Sequence, residues 1–196
     1  MEITQERINA AYAIADDSQK KLLDALFGEQ NVKDNRPVTE RIKTFEDALS
    51  ALGEDHAYVQ EYRQFVAANI TCFCKDLEAY IKLRIIVAAL NEGWTPEFIK
   101  GEYRWAPWFR IYTNEHLADM EDGKKEDIIP CRAAYCTNYD AKAVGGVACA
   151  GGGYDTMCSH AGIGSCLAFK TEELAEYAGK QFIGIYAEMM GLTVRS

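Results

Sequence analysis

The sequence predicts an α+β fold, a mostly helical single domain with a small antiparallel sheet of about three strands. Two observations lead to this class. Apolar residues recur at helical spacing in the first half of the chain and again near its end, whereas the intervening part is aromatic, β-branched and rich in glycine. We expect an N-terminal helical arm and linker over residues 1–36 and an α+β body over residues 37–196.

The N-terminal segment carries an amphipathic pattern. Ile8, Leu22, Leu26 and other apolar residues repeat at helical spacing over residues 4–27, which predicts one helix that ends at Gly28. The following stretch, residues 29–38, is polar and contains a proline, so it is predicted to be a linker.

Three further helices are predicted before the aromatic region. Thr44 and Asp47 have the spacing of a capping box for a short helix that ends at Gly53, and Asp55 can cap a second helix that continues to Val66. Residues 75–92 become apolar almost all round, which predicts the central buried helix.

All three tryptophans lie between residues 91 and 112. Gly93 is suited to the left-handed position after a helix, and Trp94 can fold back on the last turn. Thr95 and Pro96 then predict a short helix, because threonine is a good N-cap and proline a good first helical residue. Residues 107–112 are predicted to form a strand.

The last third of the chain alternates between acidic and glycine-rich segments. Residues 115–127 are predicted to be a solvated acidic loop. Short strands are expected at residues 132–136 and 165–169, with a mobile glycine- and cysteine-rich insert near residues 140–164 between them. Thr171 is predicted to cap a single final helix that continues to Met189.

Composition limits the possible functions. A formal charge of -9 opposes general nucleic-acid binding. The N-terminus lacks the apolar segment of a signal peptide and no run is long enough to span a membrane, so we expect no membrane partner and a cytoplasmic location. The seven cysteines are then expected to be thiols, mostly buried, with no metal or other cofactor bound.

Catalytic and metal sites are weakly signalled. A metal site made of Cys149, Cys158, His160 and Cys166 is conceivable, as is a Cys158 nucleophile with His160 as its base. The first lacks the paired short spacings of metal sites, and the second lacks a third orienting group. The glycine clusters match neither a P-loop nor a dinucleotide fingerprint, so the sequence leans away from an enzyme and suggests no catalytic residue.

The aromatic strand is the best candidate for a recognition site. On a strand, Trp108, Arg110 and Tyr112 face one way, and Phe109 and Ile111 face the other. The simplest alternative is that the Trp108 side packs under the central helix. If that side is exposed instead, its rings and guanidinium suit a planar anion. The expected ligand-binding residues are Tyr103, Arg104, Trp105, Trp108, Arg110, Tyr112, Arg132 and Lys170.

Four segments of the chain resemble a family of proteins from phages, prophages and mobile elements of gut Bacteroidetes. In chain order, these segments are TFEDALSALG, LRIIVAALNEGWTPEF, YRWAPWF and SCLAFKTEELAEYAGKQFIGIYAEMM. The resemblance covers half to two-thirds of the chain, between residues 44 and 190. Cys166 stands where that family often has arginine, and the insert at residues 140–164 is longer than expected. The resemblance implies a phage or prophage origin and hence the host cytoplasm, but it supplies no activity that carries over residue by residue.

Two classes of function follow. The first is a non-enzymatic protein that binds a small anionic or nucleotide-like ligand, which for a phage protein would sequester a host immune signal. The alternative is a virion or assembly protein that acts through protein contacts, using the N-terminal helix and the aromatic surface. In either class we expect a homo-oligomer.

Overall fold

Nine α-helices and four β-strands are present in the residues described by the computed structural model, which are 4–27, 36–68, 75–97, 99, 101–133, 144–156 and 165–195. The chain divides into two compact units, Met1–Arg41 and Ile42–Ser196. The second unit combines helices with one four-stranded antiparallel sheet. The predicted α+β class is therefore confirmed, with one strand more than the predicted number.

The first unit contains three helices, α1 (Gln5–Ile14), α2 (Asp17–Phe27) and α3 (Val38–Arg41). The prediction of one helix over residues 4–27 is wrong, because the backbone is extended at Ala15. There the Gln19 N–H donates to Asp16 Oδ1 at 2.8 Å, and the Asp16 N–H donates to Gln19 Oε1 at 3.0 Å. This reciprocal pair is a capping box that starts a new helix, and Asp-x-x-Gln is readable in the sequence. Of the linker predicted over residues 29–38, residues 29–35 lie outside the described part.

Removal of residues 1–36 is expected to leave a folded second unit with an altered association state. The start of that unit is anchored within it, since Tyr177 Oη donates to the Ile42 carbonyl at 2.7 Å and Gln181 Nε2 donates to the Lys43 carbonyl at 2.8 Å. The removed α2 carries exposed Leu22 and Leu26, an apolar stripe that favours association. Circular dichroism and size-exclusion chromatography would test this, and a truncated chain without helical signal would contradict it.

In its described residues, the second unit combines six helices with the sheet. Its helices are α4 (Phe45–Leu52), α5 (Ala57–Ala67), α6 (Lys75–Asn91), α7 (Asn114–Ala118), α8 (Glu172–Gln181) and α9 (Ile183–Met189). Its strands are β1 (Tyr103–Thr113), β2 (Ile129–Ala133), β3 (Val144–Thr156) and β4 (Leu192–Val194), in the sheet order β1-β3-β2-β4. Helices α8 and α9 pack on the sheet, and α6 packs behind them against α9 and α4.

Helix α4 starts at the predicted capping box. The Asp47 N–H donates to Thr44 Oγ1 at 3.1 Å, and Asp47 Oδ2 accepts from the N–H groups of Lys43 and Thr44. These backbone bonds, first that of Lys43, lower the pKa of Asp47. Helix α5 differs from the prediction, because His56 rather than Asp55 caps it: its Nδ1 accepts from the Tyr58 N–H at 3.2 Å.

Helix α6 is the central buried helix, as predicted. Ile85, Ile86 and Leu90 are fully buried along it. It ends in two residues of positive φ, Glu92 (50°) and Gly93 (88°), so the left-handed glycine is confirmed.

The short helix predicted at Thr95 and Pro96 does not form over the described residues 94–97. The Glu97 N–H instead donates to Glu102 Oε1 at 2.9 Å. An isolated turn fixes several dihedral angles for one hydrogen bond, so competing side-chain acceptors readily replace it. The chain therefore crosses to β1 as an irregular connector, while the Trp94 N–H donates back to the Asn91 carbonyl at 3.0 Å.

Strand β1 is longer than the predicted strand at residues 107–112, and it pairs along its length with β3. On its other side, Trp105 and Phe169 exchange two backbone hydrogen bonds of 3.0 and 2.7 Å. The strand predicted at residues 165–169 is accordingly reduced to this single bridge, which follows a 3-10 turn at Ser165–Leu167. The strand predicted at residues 132–136 belongs to β2, which starts earlier; residues 134–136 lie outside the described part.

The expectation of a mobile insert is wrong for residues 144–156, because they form β3 at the centre of the sheet. Glycine is normally depleted in strands, so the pattern favoured a loop. Here the glycines allow close packing on the strand. A Cβ at Gly146 would lie 2.5 Å from Ile128 Cγ2, and one at Gly152 would lie 2.9 Å from Glu172 Cγ. The rest of the insert lies outside the described residues.

Gly179 brings α8 close to the sheet, and its replacement by alanine is expected to destabilise the fold. A Cβ there would lie 2.6 Å from both Pro107 Cβ and Cys149 Sγ. Overpacking of this kind costs about 1–3 kcal/mol. Gly184, in α9, has no atom within 4 Å of a Cβ position, so Gly184→Ala should instead stabilise by about 0.5–1 kcal/mol. Urea unfolding compares the two, and equal effects of both substitutions would contradict this packing.

Two other predicted segments are subdivided. The acidic residues 115–127, expected to be a loop, include most of α7 and a 3-10 turn at Asp122–Lys124. Thr113 caps α7 by accepting from the His116 N–H at 3.1 Å. The single final helix is broken at Phe182, which has φ −110° and ψ 24° and separates α8 from α9.

Candidate functional site

Trp108, Arg110 and Tyr112, which we name the arginine face, lie on one side of β1, where Tyr112 is partly buried and the preceding residues Arg104 and Ala106 are buried. The Trp108 side chain is 58% exposed and Arg110 is also exposed. The Arg110 guanidinium carbon lies 5.4 Å from the centroid of the Tyr112 ring, within the range of a cation–π contact. The alternative in which the Trp108 side packs under the central helix is therefore wrong.

The opposite side of β1 faces the helices, as strand alternation requires. The Phe109 ring lies 5.0 Å from the Tyr186 ring and packs against the core cluster that includes Val147 and Ile183. Ile111 does not follow this pattern, since it is 49% exposed. The predicted division of the strand into two faces therefore holds at Phe109 and fails at Ile111.

Small residues of β3 lie opposite each member of the arginine face. Trp108 pairs in register with Gly151, Arg110 with Ala148, and Tyr112 with Gly146. Cross-strand neighbours of this kind normally compete for space above the sheet. Beside Trp108 and Arg110 these neighbours carry only hydrogen or methyl side chains, but the space at Gly146 is taken by Ile128, whose Cγ2 lies 2.5 Å from a Cβ position there. The exposed part of the arginine face therefore consists of Trp108 and Arg110.

A second set of rings, the aromatic cluster, lies on the other face of β1. Tyr103, Trp105 and Tyr154 have ring centroids 5.1 to 6.4 Å apart. Tyr103 and Trp105 alternate with the even-numbered residues of the arginine face, so the two sets cannot line one wall. Tyr154 was not among the expected site residues. Its signal in the sequence is weak, because its contribution depends on its pairing with Trp105 across the sheet.

The remaining expected residues lie elsewhere. Arg104 is buried, with 6% exposure. Arg132 follows the buried Cys131 on β2 and so lies on the same side of the sheet as Arg110, but β3 separates the two strands by about 10 Å in total. Lys170 forms an ion pair of 3.6 Å with Glu92. The structure thus assembles only part of the expected set.

The described cysteines are thiols without a metal site. Cys131, Cys149 and Cys166 are free, and burial raises the pKa of Cys131 and Cys149. Among the described residues, no group of three or more His, Cys, Asp or Glu side chains is placed to hold a metal ion. Of the conceivable ligands, Cys158 and His160 lie outside the described part, so the metal and nucleophile alternatives at these two residues stay untested.

Two pockets lie away from the arginine face. One, of about 540 Å³, is lined by residues of α4 and α5, including Phe45, Tyr62 and Arg63. The other, of about 240 Å³, lies between Tyr58 of α5, the end of α6, the connector at Trp94 and Cys166. None of the expected site residues lines either pocket. Sequence patterns missed the second pocket because its walls come from four separate segments.

No protein-family model, curated protein or solved structure matches the chain. The relation to phage and mobile-element proteins of gut Bacteroidetes therefore stays a prediction from the four sequence segments. None of the helices in the described part of the chain combines the length and apolar character needed to cross a membrane.

Proposed function

We propose that this protein is a non-enzymatic binding protein that captures a small, ring-bearing anion, such as a nucleotide, on the arginine face. The observation that carries the proposal is the joint exposure of Trp108 and Arg110 beside Tyr112. Exposed rings offer a stacking surface to a planar base. The adjacent guanidinium offers charge-assisted hydrogen bonds to a phosphate or carboxylate.

The charge distribution supports an anionic ligand at this position. The chain has a net charge of -9, so exposed cations compete with many nearby carboxylates. Among the described residues, however, the contact of Arg110 is with the Tyr112 ring and no carboxylate pairs with it. Arg63 and Arg84, in contrast, form ion pairs with Glu54 and Glu61. An arginine held by a ring keeps its hydrogen-bond donors for a ligand.

The resemblance to phage proteins narrows the proposed ligand to a nucleotide signal of the host cell, which the protein would sequester. Mass spectrometry of small molecules released from the heat-denatured, purified protein tests for such a ligand. Thermal melts with a panel of cyclic dinucleotides and ADP-ribose derivatives provide the second readout. We expect a released nucleotide or a raised melting temperature. If no nucleotide is released and no compound of the panel raises the melting temperature, the proposal is overturned.

A protein-contact function is the second candidate, and the openness of the surface favours it. Small-molecule sites are usually concave, whereas tryptophan, tyrosine and arginine on a broad surface are typical of protein interfaces. Ile111, which is 49% exposed, adds apolar area on the opposite side of β1. Sedimentation at increasing concentration distinguishes the candidates: assembly that Trp108→Ala abolishes, without any bound nucleotide, would favour the contact function.

A further inference from the structure

We propose that the pocket between α5, α6 and the connector after α6 is a second binding site, one that takes a small neutral molecule with a single aromatic ring. Its lining residues are Tyr58, Val87, Ala88, Asn91, Trp94, Thr95, Pro96 and Cys166. None of these side chains is charged at neutral pH in its ordinary state. The site is independent of the arginine face and does not rest on the function proposed for it.

The size of the pocket sets the size of its ligand. Its volume is about 240 Å³, which is larger than the ~150 Å³ apolar cavity known to hold benzene but below the ~300 Å³ at which drug-sized pockets begin. The Tyr58 and Trp94 rings and Pro96 offer flat apolar surfaces, with Val87 and Ala88 supplied by α6. One aromatic ring matches both the volume and these surfaces.

The walls are held in place by contacts outside the pocket. The Arg84 guanidinium carbon lies 4.1 Å from the centroid of the Tyr58 ring, and Arg84 is itself fixed by Glu61 at 2.7 Å. The Cys166 wall is held as well, since Tyr80 Oη and Cys166 Sγ lie 3.1 Å apart and share a hydrogen bond. Prepositioned walls reduce the entropy that a ligand must lose on binding.

The polar chemistry of the pocket explains the preference for a neutral ligand. Both polar atoms of the Asn91 amide are occupied, since Nδ2 donates to the Ala168 carbonyl at 2.8 Å and Oδ1 accepts from the Lys170 N–H at 3.1 Å. The Thr95 hydroxyl, a neutral group, is left to meet a ligand, whereas the Cys166 thiol already shares its hydrogen bond with Tyr80. A charged ligand would lose its hydration, and the guanidinium behind the Tyr58 ring is already paired with Glu61.

The three tryptophans allow a direct test, because each gives one indole N–H signal in a nitrogen-labelled protein. Trp94→Phe identifies the Trp94 signal. Titration with toluene and with phenol should move that signal saturably and leave those of Trp105 and Trp108 in place, whereas benzoate should move it far less. No saturable shift of Trp94 with either neutral ring, or an equal shift with benzoate, would overturn the proposal.

Filling the pocket provides the matched control. Ala88→Leu adds a larger side chain to the lining and keeps a good helix former, so the shift of Trp94 with toluene should be lost. Ala51→Leu makes the same change at an exposed position of α4, which does not line the pocket, and should titrate as wild type. A wild-type response in Ala88→Leu would contradict the site. If Ala88→Leu does not fold, the wild-type comparison of toluene with benzoate decides alone.

Discussion

Replacement of Phe169 by alanine is expected to lower the free energy of unfolding by about 3–5 kcal/mol, the largest stability effect we predict for a single side chain. Phe169 is the largest fully buried side chain of the described residues. Its backbone is paired with Trp105, and its neighbours Ala168 and Lys170 are bonded to the Asn91 amide of α6. Because both sides are fixed, the structure has little freedom to collapse into the cavity.

Trp108→Ala serves as the control for this experiment. It removes an even larger aromatic side chain from the adjacent strand, but Trp108 is 58% exposed. Loss of an exposed side chain usually changes stability by no more than about 0.5 kcal/mol. Urea unfolding of both variants gives the comparison. Similar losses for the two would show that Trp108 is part of the core and would remove the arginine face as an open site.

Arg110→Ala is expected to weaken binding of an anionic ligand about tenfold to a hundredfold while the free energy of unfolding stays almost unchanged. A hydrogen bond to a charged group contributes about 1.5–3 kcal/mol, and each 1.4 kcal/mol corresponds to about a factor of ten in the dissociation constant. The guanidinium contributes little to folding, because Arg110 is exposed and its contact is a single cation–π contact with the Tyr112 ring. Isothermal calorimetry with the nucleotide that raises the melting temperature measures the effect.

The matched control for Arg110 is Arg63→Ala, at another exposed arginine of the same unit. Arg63 already pairs with Glu54 at 2.6 Å, so its loss should leave the dissociation constant of the nucleotide unchanged. Arg110→Lys is informative as well, because lysine keeps the charge but loses the planar fork of donors. Wild-type affinity in Arg110→Ala would place the ligand elsewhere.

Local signals in the sequence are sufficient to predict the helices whose ends are marked by residues within the same segment. The Thr44 capping box, the left-handed Gly93 and the apolar surface of α6 each depend on neighbouring residues in one segment. The break at Ala15 was equally local, since Asp16 and Gln19 form its capping box. It was missed because the apolar periodicity continues across the break.

The strands of the sheet could not be predicted from local signals in the same way. Strand β3 contains glycines that local propensity assigns to a loop, and they are compatible with a strand only because Ile128 and α8 approach it closely. The candidate site, too, could be predicted only in part from local sequence. Alternation correctly separated Trp108 from Phe109, but the small partners Gly151 and Ala148 depend on pairing between distant segments. The pocket at Trp94 likewise depends on contacts that no single segment encodes.

The most direct test of the central claim, that the arginine face captures a ring-bearing anion, follows the indole N–H signals during titration with cyclic dinucleotides and ADP-ribose derivatives. Trp108 is exposed on that face, whereas Trp94 lines the separate pocket. We expect a saturable shift of the Trp108 signal with at least one of these nucleotides, with the Trp94 signal unmoved, and loss of the shift in Arg110→Ala. A Trp108 signal that stays in place with every nucleotide would contradict the claim.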